Sequence, residues 1–283
     1  MDSFIYHNDG VVPLGEARLS PGQAGLLMGW GVFTTLRLYR GIPFAFDRHW
    51  ARISRDAARL SVPLGRNEAE TRRAVMELAE ANHRQDGTAR LLFVRNQAGM
   101  WSESGQCPPT DLLILTREVT AWPAAHRLEL GPRAVVSQGP FAGIKGLSWV
   151  VPSVLYEQAH LRGLDDALLL NERGDLAECT SANFFAVRGE TVLTPPLSSG
   201  CLPGITREIL LEIGPRNGIA FKEVDLTVAD LASFDEVFIS STTREGAPVA
   251  SISPEHSYTA PGNISQRLEA LFRAYVESWL LSQ

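Results

Sequence analysis

Lysine is almost absent from this chain. Of its 26 cationic side chains only Lys145 and Lys222 are lysine, and the rest are arginine. A guanidinium keeps its charge under all ordinary conditions, so only two cations here can give up a proton and act as a nucleophilic amine. Cysteine is scarce as well. Cys107, Cys179 and Cys201 are odd in number and lack metal-ligand spacing, which fits a reducing compartment rather than a disulfide framework. Cys179 stands beside Glu178 and reads as a small buried filler. The six histidines form no HExxH-like cluster, so no metal is expected. No apolar run approaches the ~20 residues of a membrane-spanning helix, and no membrane partner is expected. The segment MDSFIYHNDG has neither a charged n-region nor an apolar core, so a cytoplasmic location is expected. An excess of positive charge is also missing. The net charge is −6 and the pI about 5.6, which argues against a nucleic-acid surface. The glycines around Met28–Gly31 make no dinucleotide fingerprint, which argues against a Rossmann site.

Lys145 lies in PFAGIKGLSWVVP, between glycines and beside apolar residues. Glycine permits close approach of backbone or ligand. Apolar surroundings disfavour an ammonium, which is the setting of a Schiff-base lysine. On this peptide alone, a general replacement of lysine by arginine that spared one residue explains it equally well. Lys222, in FKEVD, reads as an ordinary strand edge.

Hydrophobic periodicity gives an α/β (α+β) chain long enough for one large or two medium domains. The segments FIYHNDGVV and GVFTTLRLYRG read as strands, with a turn at Arg40–Gly41. Residues 47–60 read as a helix, with Ile53, Ala57 and Leu60 at helical spacing. Residues 67–83 read as a second helix capped by Asn67. ARLLFVRN and DLLILTRE are apolar strands. The expected division is an N-terminal α/β domain over 1–119, a linker over 120–126, and a C-terminal domain over 127–283. In the second half, Pro152–Arg162 reads as a helix with Pro152 in its first turn. A buried strand DALLL follows, then a turn NERG, a strand Phe184–Val187, and a helix opened by GITRE.

Several motifs in this order resemble one family. Lys145 is followed by a helix, then GLDDALLL, ECTSANFF, TPPLSSGCLPGITR and VFISSTTREGAPV. GWGVFTTLRLYRG and FDRHWARISRDAARL match the family's N-terminal segments. The chain is similar over residues 5–255 to the class IV, or fold type IV, pyridoxal-phosphate enzymes. That family includes branched-chain aminotransferases, D-amino-acid aminotransferases and 4-amino-4-deoxychorismate lyases. The resemblance implies two α/β domains with pyridoxal 5'-phosphate in the cleft between them, and a homodimer.

It also implies roles. Lys145 would hold the cofactor as a Schiff base and act as general base. Glu178 would keep the pyridine nitrogen protonated, so that the ring draws electrons. Read without the family, Glu178 is a surface strand carboxylate and Arg52 an exposed helix arginine. Within it, Arg52 would grip the phosphate with Ser241, Thr242 and the N–H groups of Ile205 and Thr206. Thr206 is also a candidate helix cap. The segments FTT, AGIKGL and ECTSAN resemble those of the lyases, where a threonine at the Thr35 position is thought to assist proton transfer. Thr35 is otherwise a strand residue whose hydroxyl bonds backbone. The loop after Arg95, NQAGMWSESG, departs from both the lyase and the D-amino-acid patterns. The departures from the branched-chain pattern are Thr34–Thr35 and Val150. The expected function is therefore pyruvate elimination from 4-amino-4-deoxychorismate to give 4-aminobenzoate. The alternative is amino transfer from an amino acid to a 2-oxo acid, and a remote third is a cofactor-binding protein without turnover. In each case the partner is a small amino compound.

Overall fold

The computed structural model describes residues 1–97 and 108–283; Cys107 and most of the loop after Arg95 lie outside them. The chain divides into two compact units, Met1–Thr120 with Ile144–Trp149, and Ala121–Gly143 with Val150–Gln283. The sequence alone places everything from 127 onward in the second domain, whereas Ile144–Trp149 pack with the first unit. Backbone pairing is the reason. The Phe33 N–H donates to the Lys145 carbonyl, and the Leu147 N–H to the Gly31 carbonyl, each at 3.0 Å.

The first unit contains β1 (Phe4–His7), β2 (Gly10–Pro13), α1 (Ala24–Met28), β3 (Gly31–Tyr39), β4 (Ile42–Pro43), α2 (Phe46–Arg59), α3 (Glu68–Ala81), β5 (Gly87–Arg95) and β6 (Thr110–Arg117). Its antiparallel sheet runs in the order β2-β1-β6-β5-β3-β4. FIYHNDGVV is two strands rather than one. A turn at Asn8 splits it, and Asn8 takes a left-handed φ of 51°, which asparagine tolerates better than most residues. The β3–β4 turn uses Arg40 and Gly41 at φ 52° and 77°, the double left-handed geometry of a tight hairpin. Asn67 caps α3 as expected. Its Oδ1 accepts the Glu70 N–H, and the Glu70 carboxylate accepts the Asn67 N–H, both at 3.0 Å. The core lies between the sheet and α2 and α3, where Val32, Leu36, Leu38, Ile53, Leu78 and Phe93 are all buried.

The second unit contains β7 (His126–Val135), α4 (Val150–Leu161), β8 (Asp166–Asn171), β9 (Leu176–Cys179), β10 (Asn183–Arg188), β11 (Thr191–Thr194), α5 (Ile205–Arg216), β12 (Ala220–Glu223), β13 (Glu236–Ser241), β14 (Glu245–Ser253), β15 (His256–Ser257) and α6 (Asn263–Leu281). Strand order is β12-β11-β10-β13-β14-β7-β8-β9, with β15 on β14. A pair between Asn183 and Glu178 joins β10 to β9, so pairing runs in a closed circuit through β10, β13, β14, β7, β8 and β9. Of residues 120–126, expected as a linker, 121–126 belong to this unit and Thr120 to the first. The Trp122 indole N–H donates to the Thr243 carbonyl at 2.9 Å. Both faces of the central strands are covered, which explains their near-continuous apolar runs, such as the fully buried Phe184–Val187. Among the described residues no helix is long and apolar enough to cross a membrane.

Candidate functional site

One face of α2 sets up the first unit's share of the site. Its buried residues are Phe46, His49, Arg52, Ile53, Asp56 and Ala57, a spacing of three and four that forms one stripe. Three of the six are polar, and each has a task against β3 or the Lys145 segment. Arg52 is buried, so the exposed-arginine reading fails. Its Nη2 donates to the Thr34 hydroxyl at 2.9 Å. The same hydroxyl lies 2.8 Å from His49 Nδ1. Burial, and after it the charges of Arg52 and Lys145, hold His49 well below the ordinary histidine range. The Asp56 Oδ2 accepts the backbone N–H of Lys145 at 3.1 Å, while Arg55 holds its other oxygen at 2.6 Å.

Lys145 is therefore fixed by its own backbone before its side chain is considered. Gly31 makes the close approach possible. A Cβ there would lie 2.4 Å from the Phe93 carbonyl oxygen and 2.4 Å from a Leu147 methyl. The Lys145 Nζ sits 4.7 Å from the Phe33 ring centre and 4.6 Å from that of Trp149. Those two rings meet edge to face at 5.6 Å. Thr35 follows Phe33 by two residues and so shares its face of β3. Its hydroxyl accepts from Arg90 Nε at 3.2 Å, a side-chain partner rather than the backbone partner of the plain-strand reading.

In the second unit Asn183 is the organising residue. It pairs with Glu178 on one side and with Ser240 on the other. Its side-chain amide donates to the Leu202 carbonyl at 2.8 Å, and the Leu202 N–H donates to Glu178 Oε2 at 3.0 Å. Gly204 then starts α5, and a Cβ there would fall 2.0 Å from the Asn183 amide oxygen. Thr206 is not the cap of α5. Gly204 is the N-cap, in extended conformation and without a side-chain cap bond. Thr206 is instead buried in the helix's first turn. Ser241 ends β13, and its hydroxyl accepts the Arg244 N–H at 3.2 Å. Thr242 is half-buried in the turn that follows.

The donor set suits a phosphate. The first turn of α5 offers backbone N–H groups with no side-chain cap, aligned with the positive end of the helix dipole. The Ser240 hydroxyl, next to Ser241, is buried and has no hydrogen-bond partner among the described residues. Each expected residue thus has a place within one unit: Lys145, Thr35 and Arg52 in the first, Glu178, Ile205, Thr206, Ser241 and Thr242 in the second. Burial lifts the Cys179 thiol well above its ordinary range and pushes Cys201 up to about 11, so neither is a thiolate nucleophile near neutral pH. Among the described residues no group of His, Cys, Asp and Glu could hold a metal.

Several contributors carry no role in the sequence reading. Asn183 stands in the ECTSANFF motif, which was the available signal. Thr34 and His49 are visible as an inward strand position and a helix-stripe position. Arg244 is buried, lies 3.9 Å over the Trp122 ring, and bonds His126, Ser181 and Asp166. That network holds the turn after β13, and no local pattern announces it.

Comparison with known proteins places the chain in one family. The family described as amino-transferase class IV matches residues 31–252. A Methanocaldococcus jannaschii protein named "Putative branched-chain-amino-acid aminotransferase" is 29% identical, over 97% of both chains. A D-alanine aminotransferase of Bacillus licheniformis is 28% identical, over 94% of both. The Escherichia coli branched-chain amino acid aminotransferase superposes with a TM-score of 0.89 at 23% identity, covering 98% of this chain and 95% of that one. A Legionella pneumophila structure titled "Putative 4-amino-4-deoxychorismate lyase" gives 0.84 at 21% identity, with coverage of 91% and 95%.

The buried His49 yields a prediction. A histidine kept neutral in the fold but free to protonate when unfolded favours the unfolded chain as acid is added. Its contribution is present above the unfolded value of about 6.5 and is lost as pH falls toward the depressed folded value. Urea unfolding of the wild type is expected to show falling stability from pH 7 to pH 5. His49→Gln, which cannot titrate, is expected to flatten that slope; an equal slope in both proteins would remove His49 as the cause.

Proposed function

Because the chain belongs to the class IV aminotransferases and is a pyridoxal-phosphate enzyme, we propose that it moves an amino group between an α-amino acid and a 2-oxo acid. The observation that carries this reading is the naming of its near-full-length relatives, which are aminotransferases of branched-chain and D-alanine type. It displaces the lyase preference drawn from FTT and AGIKGL, because the likeness to the lyase structure, at 21% identity, speaks to fold alone. The Thr35 hydroxyl, bonded by Arg90, also has a use that needs no elimination chemistry.

Bound pyridoxal phosphate supplies an aldehyde that takes up the amino group and a ring that withdraws electrons. The chain's residues do the rest. Lys145 holds the cofactor covalently and, once released by substrate, carries the α-proton. Glu178, steadied by the Leu202 N–H, keeps the ring nitrogen protonated. Arg52, Ser241, Thr242 and the N–H groups of Ile205 and Thr206 hold the phosphate. Arg52 does so with a guanidinium already aimed by Thr34, which lowers the ordering cost of the contact.

The test is an assay of the purified protein with 2-oxoglutarate and a panel of L- and D-amino acids, beside 4-amino-4-deoxychorismate. Glutamate formation is expected. Release of 4-aminobenzoate without amino transfer would restore the lyase. Borohydride reduction followed by peptide mapping is expected to place the cofactor on Lys145. Lys145→Ala is expected to abolish that adduct and nearly all turnover. An adduct persisting in Lys145→Ala would move the role to Lys222, the one remaining lysine.

We also infer a homodimer. Leu26, Leu27 and Met28 of α1 are exposed large apolar residues in the first unit, as are Val150, Val151 and Val154 of α4 in the second. Such clusters mark protein contacts more often than free surface. Sedimentation equilibrium is expected to give twice the chain mass of 31.0 kDa; a monomer at micromolar concentration would refute it.

A further inference from the structure

Thr34 is a hydroxyl set among apolar neighbours. It shares one face of β3 with Val32, Leu36 and Leu38, the face that packs on α2 and α3. From α2, two groups reach that hydroxyl. They are His49 and Arg52, three residues apart and so adjacent on one helix face. Arg52 Nη2 lies 2.9 Å from the Thr34 oxygen, and His49 Nδ1 lies 2.8 Å from it. Thr34 and His49 are each 1% exposed, so bulk water cannot stand in for either partner. Among the described residues the hydroxyl has no third partner.

The direction of each bond follows from the donors present. A guanidinium only donates, so Arg52 gives a proton to one lone pair of Thr34. The hydroxyl's own proton then needs an acceptor, and His49 Nδ1 is the one within reach. Were Nδ1 protonated, two donors would converge on the oxygen, and the hydroxyl proton would be buried without an acceptor, which is costly. The surroundings favour the bare Nδ1. Burial, and after it Arg52 on the same helix and Lys145 on the segment paired with β3, hold His49 well below the ordinary histidine range. The buried residues of α3, Thr71, Ala74, Val75, Leu78 and Ala79, bring no charge to offset this.

We infer that His49, with its proton on Nε2, is a positioning residue for the cofactor's phosphate: it takes the Thr34 proton and so fixes that oxygen as an acceptor for Arg52. The inference deepens the reading of Arg52 as a phosphate ligand and rests on it. Bonds in such a chain polarise and strengthen one another. The Arg52 guanidinium is thereby aimed before the cofactor arrives, which lowers the ordering cost of binding.

Two experiments on the full chain test this. Nitrogen NMR of the labelled holoenzyme, with the His49 signals assigned by their loss in His49→Asn, is expected to show a bare Nδ1 and a protonated Nε2 at pH 7. A protonated Nδ1 would overturn the inference with no stability effect of a variant to confuse it. The second experiment is the cofactor dissociation constant of wild type, Thr34→Val, His49→Leu, His49→Asn, Arg52→Ala and the double variant His49→Leu with Arg52→Ala. Thr34→Val and His49→Leu are expected to weaken binding by about 3- to 10-fold, the worth of one ordinary hydrogen bond. His49→Asn, which places an oxygen where Nδ1 stood, is expected to recover most of that loss. In the Arg52→Ala background, His49→Leu is expected to cost nothing further, because its effect passes through the guanidinium. Equal losses in both backgrounds would reduce His49 to packing and overturn the assignment. So would a His49→Leu that binds the cofactor as wild type does. Failure of the underlying reading looks different: Arg52→Ala alone would leave cofactor affinity unchanged.

Discussion

The short backbone pairing between Gly31–Phe33 and Lys145–Leu147 is the contact on which the placement of Lys145 in the first unit depends. It takes two ladder hydrogen bonds and a third from Asp56. Each buried bond of this kind contributes about 1 kcal/mol net, and losing a partner costs more. Their larger effect is geometric. They fix where the Lys145 backbone emerges, so that a long flexible side chain starts from a single point and lies between Phe33 and Trp149. Gly31 is the condition for the pairing, since any side chain there would strike the Phe93 carbonyl. The buried α2 stripe is the second condition. It spends three of its inward positions on polar groups, which a purely structural helix would fill with apolar residues.

The second unit solves a comparable problem with an amide. Asn183 ties β9, β10 and β13 together and presses on Gly204 at the start of α5. A carboxylate, a helix N-terminus and a hydroxyl turn are thereby linked through one residue. Arg244 braces the same turn from behind by its pairing with Asp166 at 3.2 Å, both side chains fully buried. A buried pair like this gives little net stability, because desolvation offsets the attraction. Its value lies in fixing the conformation of the turn that carries Thr242.

Local signals made the elements legible. Apolar periodicity located the strands, Asn67 announced a helix cap, Pro152 falls in the first turn of its helix, and GITRE opens another. The failures were also local. Nothing in FIYHNDGVV distinguishes one long strand from two with a left-handed Asn8. Thr206 looks like a cap only if the closeness of Asn183 to Gly204, set by folding, is ignored. What the chain hid entirely were partnerships across large separations. The Arg90–Thr35 bond spans 55 residues and the Arg244–Asp166 bond spans 78. Arg90 sits inside ARLLFV and looks like an ordinary outward strand residue. Only the register of β3 against β5 gives it a target. Family resemblance made Arg52 a candidate phosphate ligand, but its burial and its bond to Thr34 were not legible.

The scarcity of lysine has a chemical reading once these neighbours are known. An aldehyde cofactor reacts with any accessible amine, and a guanidinium does not form a Schiff base under the same conditions. Arg52 and Arg90 supply positive charge on either side of β3 without offering a second amine. Lysine at either position would bring a compact, strongly hydrated charge and a competing nucleophile. It would also lose the planar fork with which Arg52 holds Thr34. Lys222 belongs to the second unit, on its exposed edge strand β12. With arginine at the other basic side-chain positions of the first unit, Lys145 is its one lysine.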